Sequence, residues 1–313
     1  MPVLAGTGAE SSGNAVGIDV GGTKARGIVI DPSGNVLADR TIPTRLGPEG
    51  VLGTIVDLHA LLVDAVPTAS VTPVGVGIPG VVDPHNGVVA HAVNLRLTNM
   101  QLGIELERVL GTVVAVENDV NAAAVGAAAG SSKASLVYLN LGTGLAAGIV
   151  LDGELVRGRV GAAGELGHIS IDPDGPLCGC GQRGCLEQSL SGTAVRSMME
   201  LAGATSIDEL FDPLSGIVVP HRGRALLERL AWLVEVIALT IDVDRIVLGG
   251  GVVDAGDGLL EALRVQLRRR AELSPFIAKL RLADRIETSR RSGPVAPVGA
   301  AIGARRALDP RAS

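Results

Sequence analysis

The chain of 313 residues is 47% hydrophobic and carries 43 Gly and 16 Pro, enough for one large domain or two lobes with separate cores, which rules out a disordered chain. Acidic residues outnumber basic ones by 33 to 27, and the formal net charge of −6 argues against an extended nucleic-acid surface, so no nucleic-acid partner is expected. The only aromatic residues are Trp232, Tyr138, Phe211 and Phe276, so the core must be aliphatic and a base-stacking platform is disfavoured.

Short β-branched runs bounded by Gly, Pro or Asp predict buried strands at residues 15–20, 27–31, 74–78, 112–116, 136–141, 148–151 and 243–248. Apolar residues at helical spacing predict helices at 49–65, 100–110, 119–130, 189–203, 222–241 and 256–271, and a final helix over 298–308. The class is α/β. The longest uncharged apolar stretch, Leu136 to Leu151, is interrupted by Asn140, Gly142, Thr143, Gly144 and Gly148, and reads as strand, loop, strand rather than a membrane span. The first basic residue is Lys24, and residues 1–14 are too small and polar for a secretory leader. A cytoplasmic protein without a membrane partner is therefore expected.

A shift of 121 positions lays Asp19-Val-Gly-Gly-Thr23 on Asn140-Leu-Gly-Thr-Gly144, and Gly27, Ile28, Val29 and Asp31 on the identical Gly148, Ile149, Val150 and Asp152. Both copies read strand, glycine turn, strand. Such a duplicated β-hairpin suits two lobes that each offer backbone N–H groups to one polyphosphate; chance likeness of two Gly-rich hairpins is the alternative. Counting elements places the lobe boundary near Glu117. The expected lobes are an N-terminal α/β lobe, 15–117, joined by the helix 298–308, and a C-terminal α/β lobe, 118–297.

In Asp19-Val-Gly-Gly-Thr-Lys24, two glycines allow a tight turn and close approach to a ligand, while Thr23 and Lys24 suit phosphate oxygens and Asp19 suits a hydrated Mg²⁺. A plain hairpin explains that turn as well, and the same two readings apply to Leu141-Gly-Thr-Gly144. The third group, Gly249-Gly-Gly251, lies between a strand and a helix without forming a GxGxxG or P-loop fingerprint. Three glycine loops after three strands favour a nucleotide site. Glu117-Asn-Asp119 closes a strand and opens an Ala-rich helix. Asn118 and Asp119 could simply cap that helix, or Asp119 could take a proton from an attacking alcohol that Asn118 orients.

His168 with Cys178, Cys180 and Cys185 supplies the ligand count of a closed Cys₃His zinc site, a structural knuckle over 168–185. Unligated thiols in such a loop would be open to oxidation. Zinc on one ring nitrogen fixes the tautomer of His168, and with Glu165 and Glu187 beside it the group suits a polyhydroxylated substrate.

Taken together, DVGGTK (19–24), GVGIPGVVD (75–83), Asn94, VENDVNAAA (116–124), LGTG (141–144), GELGH (164–168), CGCGQRGCLE (178–187) and VLGGGV (247–252) resemble the ROK family of bacterial sugar kinases and sugar-responsive repressors. The resemblance runs from about Val16 to Ala307 and implies the two-lobed actin-like ATPase (ribonuclease H-like) fold, with hexose and ATP meeting between the lobes. It implies that Gly21, Gly22, Thr23 and Lys24 form the first phosphate loop, that Gly142, Thr143 and Gly144 form the second, and that Gly250 and Gly251 lie near the nucleoside. Asp119 would be the general base, and Gly80, Asn94, Asn118, Glu165, His168 and Glu187 would line the sugar. The implied activity is ATP-dependent phosphorylation of a hexose, with glucose to glucose 6-phosphate as the first choice, and fructose, mannose, an N-acetylated hexosamine or a non-catalytic sugar sensor as alternatives. The implied cofactors are structural zinc and Mg²⁺ with ATP, and the implied assembly is a homodimer. Residues 1–14 are too few for the helix-turn-helix module of the repressor branch. The chain departs from the family pattern at Asn94-Leu-Arg-Leu97, where an aromatic often stands at the last position, at Ala146, and over Thr205–Asp242. Altered walls of the sugar and nucleoside pockets are the expected consequence.

Overall fold

A computed structural model describes residues 13–130, 134–211, 221–254, 256–291 and 293–308. The leader 1–12 and part of the departing stretch, 212–220, lie outside the described residues. The chain divides into two compact units, one made of residues 1–134, 150–162 and 294–313, the other of 135–149 and 163–293.

The first sheet begins with β1 (Ala15–Val20), β2 (Lys24–Ile30) and β3 (Val36–Pro43), continues after α1 (Pro48–Ala65) with β4 (Val74–Ile78), and is completed by a later strand. Helix α1 starts with Pro48 at its first turn, where a missing N–H costs nothing, and buries Val51, Ile55, Leu58 and Leu62 at helical spacing. Three short strands, β5 (Val81–Asp83), β6 (Val88–Ala92) and β7 (Leu97–Met100), pair antiparallel in a separate small sheet. Then come α2 (Leu102–Leu110), which ends at Gly111 in the left-handed region (φ 67°), β8 (Val114–Asn118) and α3 (Asp119–Ala127). The large sheet has the order β3-β2-β1-β4-β8, with β1, β4 and β8 parallel and the β1-β2-β3 meander antiparallel.

The second sheet repeats this plan. Strands β9 (Leu136–Leu141) and β10 (Leu145–Leu151) are neighbours joined by Gly142, Thr143 and Gly144, a link short enough only for an antiparallel pair. After the short β11 (Glu154–Leu155) come α4 (Glu187–Leu190), α5 (Gly192–Ala202), α6 (Ile207–Phe211), α7 (His221–Ile241), β12 (Arg245–Gly249), α8 (Gly251–Asp254), α9 (Gly258–Glu272), α10 (Pro275–Leu280), α11 (Leu282–Arg285) and β13 (Ile286–Thr288). The order is β11-β10-β9-β12-β13, with β9, β12 and β13 parallel. Adding the 121-residue shift to the ends of β1 and β2 lands on the ends of β9 and β10, so the duplicated hairpin is a structural repeat.

The last helix, α12 (Val295–Ala307), belongs to the first unit and packs on β1, β4 and α3. Glycines make that contact possible: a Cβ on Gly17, Gly75 or Gly126 would strike the backbone carbonyl of Pro297, Ala300 or Val295, and one on Gly299 would strike that of Ala122. Backbone therefore rests on backbone. Because α3 packs on α12, it stays with the first unit, which runs on past the expected boundary at Glu117. The predicted helix 189–203 is broken at Ser191, whose side chain caps α5. No helix among the described residues is long and apolar enough to cross a membrane.

Candidate active site

In the first unit, strand register brings the acids together. Asp19 lies opposite Gly77 on β4, and Gly77 opposite Glu117 on β8, so three strand ends form one edge, which Asp119 extends as the first residue of α3. Ligands of open α/β sheets gather at this C-terminal edge. A Cβ on Gly77 would lie 3.6 Å from Asp119 Cα and 3.8 Å from Asp19 Oδ1, so the Asp19 carboxylate and the backbone of Asp119 both border the space that this glycine leaves. Burial, and then the charge of Asp119, push the Asp19 carboxyl up to about 7, against the opposing pull of Arg26 and Lys24. Two acids crowded in this way form a donor set that a divalent cation relieves.

Asn118 does cap α3, as its Oδ1 accepts from the backbone N–H of Val120 (2.9 Å) and of Asn121 (3.1 Å). Its Nδ2 donates to Gly80 O at 3.1 Å. The first glycine turn is closed by a bond from Gly21 N to Lys24 O (3.0 Å), leaving Gly22, Thr23 and Lys24 exposed. Asn94, on a short 3₁₀ turn, sits beside it, its Cβ 3.6 Å from where a Gly22 Cβ would be.

In the second unit, Gly142 N donates to Gly144 O at 3.1 Å, closing the second turn. Parallel pairing of β9 with β12 places Gly249 opposite Asn140 and so brings the third glycine group beside the second. Gly250 has a φ of 89°, and Gly251 opens α8. The Asn140 amide fills the space between the turns: a Cβ would approach its Nδ2 to 3.0 Å from Gly142, and its Oδ1 to 2.5 Å from Gly250. Asn140 thus stands where the repeat has Asp19, a signal that the sequence alignment carried. The Glu187 carboxylate reaches the same turn, its Oε2 accepting from Leu145 N at 3.0 Å.

The ligand atoms of His168, Cys178, Cys180 and Cys185 all lie within 4.8 Å of one another. Cys178 Sγ is 3.7 Å from His168 Nδ1, and Cys180 Sγ is 3.6 Å from Cys185 Sγ. A tetrahedron with Zn–S bonds of about 2.3 Å has S···S edges of roughly 3.8 Å, so the set fits zinc. Nδ1 faces the thiols, while Nε2 lies 3.9 Å from Oε2 of the exposed Glu165. Burial and the neighbouring sulfurs push the Cys185 thiol up to about 12, whereas N–H donation from Gln182 draws Cys180 down to about 7. Three thiolates this close require a cation to coexist.

Leu97 is 1% exposed and packed in the core of the first unit. Asn94 and Arg96 of the same run are exposed. Arg270, near the end of α9, makes a two-pronged ion pair with the buried Glu235, both bonds at 2.6 Å. A further residue had no sequence signal: Arg157, which binds Glu117 from 40 residues away.

The sequence pattern of the ROK family matches residues 15–302. The chain is 34% identical over 282 residues to a glucokinase of Streptomyces coelicolor, covering 82% of this chain and 88% of that protein. A ROK hexokinase structure from Thermus thermophilus matches with a TM-score of 0.72 and 31% identity, over 93% of this chain and 97% of that one. A ROK family glucokinase from Streptomyces griseus, solved with glucose and AMPPNP, matches with a TM-score of 0.72 and 32% identity, over 94% of this chain and all (100%) of the other.

Proposed function

The chain belongs to the ROK family, and from that premise we propose that it is an ATP-dependent hexose kinase that phosphorylates glucose at O6 with Asp119 as general base. The observation that carries the reading is the placing of Asp19 and Asp119 beside Gly77 at the carboxyl edge of the first sheet, near enough for the charge of Asp119 to raise the Asp19 carboxyl.

Asp119 takes the proton of the primary hydroxyl as its oxygen attacks the γ-phosphorus. Asn118 fixes the start of α3 beneath that carboxylate, and the second N–H of its Nδ2 is the group it offers to a sugar hydroxyl. Gly80 and Asn94 complete the contribution of the first unit to sugar binding. Glu165, His168 and Glu187 are the other proposed sugar contacts. With Nδ1 turned to the thiols, His168 presents Nε2–H as a donor of fixed direction. Backbone N–H groups of Gly21, Gly22 and Thr23, the Lys24 ammonium, and the turn Gly142, Thr143 and Gly144 hold the phosphates, while Gly250 and Gly251 approach the nucleoside.

Mg²⁺, entering with ATP, supplies neutralising charge at the phosphates, and Asp19 is the residue that would hold it. Zinc on His168, Cys178, Cys180 and Cys185 is structural. The proposed assembly is a homodimer of the 31.7 kDa chain, which light scattering reports.

The test is ADP release measured against a panel of glucose, fructose, mannose and N-acetylated hexosamines. Glucose is expected to give the highest kcat/KM. Asp119→Asn should keep glucose affinity and lower kcat by about 10²-fold or more, as expected for losing a general base. Unimpaired kcat in that variant would remove Asp119 from the role, and sugar binding without turnover of any hexose would make the chain a sensor.

A further inference from the structure

Arg157 lies in the segment that follows β11, far along the chain from the start of α3, yet both are parts of the first unit. Its Nε and Nη2 donate to Oε2 of Glu117 at 2.9 and 2.7 Å. The other oxygen of Glu117 serves the turn on which Asp119 sits, as Oε1 accepts from Asn118 N at 3.0 Å and from Asn121 Nδ2 at 3.1 Å. One carboxylate is thus shared between a guanidinium on one side and, on the other, Asn118 just before Asp119 and Asn121 two residues after it. We propose that Arg157 is a positioning residue for phosphoryl transfer, acting through Glu117 to hold Asn118 and Asp119 in place. The inference rests on the reading of Asp119 as the base.

The Glu117 side chain is 17% exposed and that of Arg157 44%. A pair this open adds little to stability. The carboxylate is nevertheless shielded, and without Arg157 it would swing toward water or toward another donor, releasing the two bonds that orient the turn. A reacting group displaced by about 1 Å can lose about 10²-fold in rate, so the clamp is read in kcat and not in melting.

The experiment compares Arg157→Met, Arg157→Lys and Asp119→Asn in the full-length chain. Arg157→Met is expected to lower kcat about tenfold or more while KM for hexose and for ATP stays within about twofold and Tm changes little. Arg157→Lys, which keeps a charged donor, should recover part of the loss. Wild-type kcat in Arg157→Met overturns the inference, as does a loss accompanied by raised KM for both substrates and a fallen Tm, the mark of a merely structural role. If Arg157→Met folds poorly, Glu117→Gln decides: it keeps the Oε1 acceptor and removes the ion pair, so reduced kcat at constant KM supports the clamp and unchanged kcat refutes it. Asp119→Asn separates the two readings. Activity in that variant defeats the base assignment itself, whereas an inactive Asp119→Asn beside a fully active Arg157→Met defeats only the clamp.

Discussion

Gly144→Ala is a change in the proposed second phosphate loop that should be felt at the proposed sugar site. Gly144 is not among the positive-φ glycines, so alanine meets no backbone strain there. The space is the obstacle: the added Cβ would lie 2.5 Å from Glu187 Oε2, where ordinary contact begins at 3.4 Å, so the carboxylate must withdraw by about 0.9 Å. That withdrawal breaks the 3.0 Å bond from Leu145 N. A hydrogen bond to a charged group contributes about 1.5–3 kcal/mol, and if the displaced carboxylate carries a comparable loss over to the sugar it is proposed to hold, affinity falls by roughly 10- to 150-fold at about 1.4 kcal/mol per tenfold. Isothermal titration of glucose without nucleotide is the assay, with Glu187→Gln as the comparison. Unchanged glucose affinity in Gly144→Ala, together with a raised KM for ATP, would show that Glu187 is no link between the second phosphate turn and the sugar.

Three further outcomes follow from the geometry. Elemental analysis should find about one zinc per chain, and a chelator should lower Tm and release thiols to a colorimetric reagent; a folded, metal-free chain with unchanged Tm would refute the closed site. His59 is buried, its Nε2 has no hydrogen-bond partner, and burial holds its pKa below the usual value of 6.5. Its neutral form is thus favoured in the fold, so stability is fully present above about pH 6.5 and is lost as pH falls through the folded-state pKa. His59→Leu should therefore gain more Tm at pH 5 than at pH 8, and an equal gain at both would count against the titration. Gly75→Val would drive a side chain into the Ala300 carbonyl; loss of soluble, folded protein is expected, by several kcal/mol of overpacking and backbone displacement, and a normal melting curve would show that α12 does not rest on β4.

The duplicated hairpin, the α/β class and the Cys₃His set were legible in the sequence because each is written locally. A glycine turn between β-branched runs has few other conformations, and three cysteines within eight residues leave little room for distant partners. The short strands β5, β6 and β7, and the largely exposed β3, escaped because their apolar residues form no buried run; β3 buries Ala38 alone. The boundary at Glu117 misled for a different reason. Element counting follows the chain, but α3 stays in the first unit because it packs on α12, and Gly17, Gly75 and Gly126 admit that helix although it arrives from the opposite end of the sequence.

Residue type and spacing alone therefore determined the kinds of chemistry available, namely backbone N–H groups at glycine turns, a carboxylate at a strand end, and four soft ligands in one short stretch. Only the tertiary structure decided who stands beside whom: Asp19 with Asp119 across Gly77, Asn140 between two glycine turns, Glu187 on Leu145, and Arg157 on Glu117. The physical reason is that strand register and close packing act between segments tens of residues apart, and hydrogen bonds of about 3 Å are made or missed by shifts smaller than any sequence pattern records.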